Sequence, residues 1–203
     1  MTKDSKTEEK IITAAREVFI NKGLSGARMQ EIADHAGINK ALLHYYFRSK
    51  DKLFEAVFSE LIKDFAPKMI SALGSDLPLR EKVKAYVDQI ITKMKSHPEL
   101  PLFIFNEMRN HPQELIKKIG IVESGALEVM SKQLEEEIKA GNIRPMPVHE
   151  FMINMASMCI FPFLAKPMFQ GMFGITDDMF NMFMDVRKES IPEYVMNAVS
   201  LKN

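Results

Sequence analysis

Apolar residues recur at helical spacing along almost the whole chain, and no stretch shows the strict alternation of a half-buried strand. That pattern restricts the chain to an all-α fold. A first helix is expected from Ser5 to Lys22, with Ser5 and Glu8 at capping-box spacing and Ile11, Ala15, Val18 and Phe19 on one face. Gly23 ends it. Two short helices follow, Arg28–Ala36 and Asn39–Phe47, on either side of Gly37. Ser49 can cap a long helix from Lys50 whose stripe (Leu53, Phe54, Val57, Phe58, Leu61, Ile62, Phe65, Met69) is wider than one packing face needs. Pro67 should kink or interrupt it.

Beyond Gly74, Pro78 opens a helix with the stripe Val83, Val87, Ile90, Ile91 and Met94, ended near His97-Pro98. Further helices are expected over Glu99–Asn110, from His111-Pro112 onward, and over Gly125–Ala140, where Glu135, Glu136 and Glu137 form a solvated side. After a Pro-rich break at Gly141–Pro147, two last helices are expected. They run over Val148–Phe169 and Thr176–Val199, with Thr176 as cap and a bend at Pro192.

At 203 residues the chain can bury a core and carry a small second module. Its net charge is zero, yet residues 1–52 hold ten Lys/Arg against seven Asp/Glu, a net of +3. A basic head on an acidic body is a modest electrostatic footprint for phosphate. Cys159 is the only cysteine, so an intrachain disulfide is excluded and a reducing cytoplasm is the expected location. The apolar stretch Phe151–Ala165 is too short to span a bilayer.

Residues 27–47, ARMQEIADHAGINKALLHYYF, join two short helices by a tight turn at Ala36-Gly37-Ile38, the helix-turn-helix arrangement. Ala33 is small where the helices cross, and Asn39 can cap the second. Ile32, Ile38 and Leu43 pack the unit, leaving Lys40, Ala41, Leu42, His44 and Tyr45 exposed. A base, a small residue, an apolar residue and two hydrogen-bonding rings suit a major groove.

The run from Thr7 to Phe54 resembles the N-terminal domain of the TetR (tetracycline-repressor-like) family. The resemblance rests on Phe19 and Gly23, Ile32-Ala33, Ala36-Gly37-Ile38-Asn39-Lys40, Leu43, Tyr46-Phe47, Ser49-Lys50 and Leu53-Phe54. It implies a three-helix DNA-binding domain over residues 1–49 and a larger helical ligand-binding and dimerisation domain over 50–203. It also implies that Lys40, Ala41, Leu42, His44 and Tyr45 face bases and the adjacent backbone, and that Lys50, Arg28 and Gln30 reach phosphates. Three positions depart from the family. Ala27 replaces a capping Thr, His44 a Tyr, and Leu42 a Thr, so no operator sequence carries over.

Residues 151–186 hold eight of the sixteen Met and seven of the fourteen Phe. In the family the last two helices pair with a second subunit and the helices before them enclose a pocket. Soft, Met-rich walls suit varied apolar guests. By helix face, Phe65, Met69, Tyr86, Ile90, Phe103, Met108, Met130, Met155 and Cys159 are the candidate walls, for an apolar or aromatic effector. His35, His44, His97, His111 and His149 have no metal-ligand spacing, and no Gly-rich phosphate loop or nucleophile motif is present. The expectation is therefore a homodimeric regulator, most simply a repressor, without enzymatic activity, metal or cofactor. The alternatives are a DNA-binding protein of this fold without small-molecule control, or an enzyme with an all-helical pocket.

Overall fold

The computed structural model describes residues 3–63, 65–98 and 100–201. Among these the fold is all-α, with β structure limited to one isolated bridge between Ile143 and Ser200. Packing divides the chain into two compact units, residues 1–64 with 102–112, and residues 65–101 with 113–203.

The first unit opens with α1 (Lys3–Gly26), in which Gly23 leaves the helical region at φ 66°. A side chain there would be strained, so the sequence signal for a stop is also the structural one. Ser5 lies inside this helix and not at its start, because no breaker precedes it. Next come α2 (Met29–His35), α3 (Lys40–Tyr46) and α4 (Lys50–Ile62). Ile11, Ala15 and Phe19 of α1 are buried together with Leu53, Phe54, Val57 and Phe58 of α4. Phe19 meets Phe54 edge-on at 5.1 Å between ring centres. Helix α7 (Leu100–Asn110) contributes Phe103, whose ring stacks on Phe54 at 4.7 Å and on Phe58 at 5.6 Å. The expected start of α7 at Glu99 lies outside the described residues.

The expected long helix from Lys50 stops at Ile62, and α5 (Ala66–Gly74) begins afresh with Pro67 in its first turn. A proline is accommodated there because the first-turn N–H groups have no intrahelical partner.

In the second unit α6 (Leu79–Ser96) is central. It packs against α5, α10 (Val148–Leu164) and α12 (Asp177–Val199) through Val83, Tyr86, Val87, Ile90, Ile91 and Met94. Lys82, on the same buried face, is only 1% exposed; burial lowers its pKa, with Asp76 opposing. Helices α8 (Pro112–Ile119) and α9 (Ala126–Lys139) precede the break before α10. After that break Arg144 donates from its backbone N–H to the Val199 carbonyl at 2.8 Å.

One expected helix, Val148–Phe169, proves to be two. Helix α10 ends at Leu164, and α11 (Lys166–Phe173) leaves at 66° to it. Pro167 explains the corner, since the residue before a proline resists helical backbone and the proline itself suits a helix start. Pro162 does not break α10, although its missing N–H orphans the Met158 carbonyl. Arg187 of α12 fills that vacancy, donating from Nη2 at 2.7 Å while its guanidinium lies over the Phe183 ring. Pro192 likewise sits within α12 without ending it. Among the described residues no single helix is long and apolar enough to cross a membrane.

Candidate nucleic-acid interface

The turn between α2 and α3 is built from three interactions. Gly37 takes φ 64°, which side chains avoid. The Ile38 N–H donates to the Ala33 carbonyl at 3.0 Å, and the Asn39 side chain accepts the Leu42 N–H at 2.8 Å, capping α3. Ile32, Ala33 and Leu43 are fully buried, which fixes the rotation of α3 about its axis. With Leu43 inward, Lys40, Ala41, His44 and Tyr45 point to solvent and Leu42 is half-buried. Tyr45 is 77% exposed, with its ring edge-on to Tyr46.

Helix α2 lacks a side-chain cap. Arg28 stands at the cap position in extended backbone, and Ala27, one residue before it, is buried. Ser49 does cap α4, accepting the Lys52 N–H at 3.1 Å. The Lys50 ammonium donates to the Ala27 carbonyl at 3.1 Å and lies 3.5 Å from that of Ser25. Lys50 thus ties the start of α4 to the chain entering α2. Arg28 is exposed; Gln30, also exposed, donates to the Asp34 carboxylate at 2.8 Å.

The nine candidate wall residues separate. Phe65, just before α5, and Tyr86, Ile90, Met130, Met155 and Cys159 on α6, α9 and α10 are buried in the second unit, and Met69 of α5 is half-buried. Tyr86 and Cys159 lie close enough to interact; burial pushes the tyrosine hydroxyl up and the thiol to about 12. Phe103 and Met108 belong to the first unit, Phe103 in its aromatic core and Met108 half exposed. No group of three or more metal-ligating side chains is placed together among the described residues.

Which side of the last helices is bare shows only in the structure. Ile153 of α10, Met172 and Phe173 of α11, and Met182, Val186 and Tyr194 of α12 are each more than 60% exposed. Three charges of α12 pair with α6, Asp185 with Lys95, Lys188 with Asp88 and Glu193 with Arg80, while Glu189 is exposed.

A short capped helix behind a left-handed glycine turn, carried by a helical body, is the arrangement of a helix-turn-helix protein. Residues 11–57 match the family model described as bacterial regulatory proteins, tetR family, and residues 80–190 match the tetracyclin repressor-like C-terminal domain. The chain belongs to the TetR family and is a DNA-binding transcriptional regulator. It is 30% identical to the HTH-type transcriptional regulator YhgD of Bacillus subtilis, over 66% of this chain and 71% of that protein. It is 25% identical to the fatty acid metabolism regulator protein of the same organism, over 66% and 69%. A TetR family transcription regulator from Marinobacter aquaeolei has the same fold, with a TM-score of 0.68, 17% identity and 97% of each chain covered. Proteins of this family bind DNA, usually act as dimers and are generally not enzymes.

Proposed function

We propose that the protein is a cytoplasmic, effector-controlled repressor that grips a near-palindromic operator as a homodimer and is released by a small, mainly apolar ligand. The observation that carries this reading is the bare face of α3. Residues 1–49 read the DNA; residues 50–203 hold the second subunit and the effector. Lys40, Ala41, Leu42, His44 and Tyr45 contact bases and the adjacent backbone, and Lys50, Arg28 and Gln30 contact phosphate. One seven-residue helix offers few base contacts, and two-fold pairing doubles them. The Met- and Phe-rich second unit favours an apolar guest, and a relative named for fatty acid metabolism fits that chemistry.

Lys50→Ala is expected to weaken binding to all DNA alike and to flatten the salt dependence by about 0.9 log units per log unit of salt for each head. Lys40→Ala and His44→Ala change which sequence is preferred, at roughly 1–3 kcal/mol per base contact. Selection of binding sites from random DNA, repeated at several salt concentrations, separates the two behaviours. A change of preference confined to Lys50→Ala would place the recognition face elsewhere.

Burial of Tyr86, Ile90, Met130, Met155 and Cys159 supports a second reading, a regulator with a filled core and no effector. A thermal-shift screen of lipophilic compounds, followed by mobility shift on DNA flanking the gene, decides between them. Compounds that stabilise the protein should release the DNA. Stabilisation that leaves operator affinity unchanged removes effector control from the proposal.

A further inference from the structure

None of the eight residues of α11 is buried, although four of them are Met or Phe. A helix this short does not hold itself together in water. Polar staples from the start of α12 fix it. Lys166 lies 2.7 Å from the Asp177 carboxylate, and Gln170 donates to the same group at 2.8 Å. Phe169, between Phe161 and Phe173, adds ring contacts at 6.1 and 6.2 Å. The helix is therefore positioned by its own chain and left uncovered by it.

Between α10, α11 and α12 lies an apolar cleft of about 520 Å³, with Arg187 its one charged wall residue. The cleft is continuous with the bare face of α12. Ten large apolar side chains of α10–α12 are exposed, each by 46% or more. At on the order of 100 Å² each they offer roughly 1,000 Å², above the ~800 Å² per partner of a stable interface.

We propose that α11 is an intersubunit clasp: Met172 and Phe173 of each copy pack against the other copy, whose apolar side chains fill the cleft between α10, α11 and α12. This rests on the homodimer proposed above and adds a third helix to an interface otherwise made by α10 and α12. The occupant is a second copy because the exposed apolar area reaches what a stable interface needs, and a two-fold contact lets one such surface match itself.

The test uses the full chain with Met172→Cys. Cys159 is buried and its thiol pushed up to about 12, so maleimide reports position 172 alone. Labelling should slow at least about tenfold where light scattering shows the dimer, and recover on dilution. In parallel, Met172→Ser with Phe173→Ser should raise the dimer dissociation constant at least about tenfold at unchanged helix content. A dimer with undiminished labelling and an unchanged dissociation constant overturns the clasp and leaves the dimer standing. A wild-type chain that stays monomeric at micromolar concentration overturns the dimer itself.

Discussion

Glutamate in place of both Met182 and Val186 is expected to leave a folded 23.2 kDa monomer whose operator affinity has fallen at least about a hundredfold. Both side chains are more than 60% exposed, so neither substitution disturbs the core of the second unit. Across an apolar interface, each carboxylate would lose water without gaining a partner, a cost of several kcal/mol. Pairing two-fold places four such charges in one interface. The monomer keeps one recognition helix and loses the contacts of the other half-site. Gel filtration with light scattering gives the mass, circular dichroism the fold, and a mobility shift the affinity. Persistence of the dimer would move the interface away from α12.

Phe103→Ala should destabilise the first unit by about 3–5 kcal/mol. The ring is 4% exposed and stacked between those of Phe54 and Phe58, so its removal opens a cavity against the helix that carries Ser49 and Lys50. Met108→Ala, eight-tenths of the way along the same helix and 49% exposed, should change stability by less than about 0.5 kcal/mol. Hydrogen exchange at the amides of α4 is the measurement to make, because it reports the first unit without assuming that both units unfold together. Equal protection in the two variants would show that the aromatic stack contributes nothing beyond its neighbours.

These two positions mark different degrees of legibility. The head could be read almost whole, because its signals are local. Gly23, Gly37, Asn39 and Ser49 act on backbone within three residues of themselves, and each does in the structure what its chemistry suggested. Phe103 could not be placed that way. Its helical face marks it as buried without saying against what, and its partners lie some fifty residues earlier. The corner at Ala165 was written in Pro167, while Pro162, equally a proline, left α10 intact. The difference is Arg187, twenty-five residues further on, whose guanidinium meets the orphaned Met158 carbonyl.

Periodicity, capping residues and turn glycines thus determined the all-α class, the helix-turn-helix and the outward set on α3, since each depends on interactions within a turn or two of chain. The tertiary structure decided what depends on distant partners: that Phe103 serves the first unit, that Lys50 ties α4 to the Ala27 carbonyl, and which side of α12 stays bare. The last point follows from pairing. Lys95, Asp88 and Arg80 of α6 hold Asp185, Lys188 and Glu193 of α12 while Phe180, Met184, Ile191 and Val195 are buried, which leaves Met182, Val186 and Tyr194 facing out.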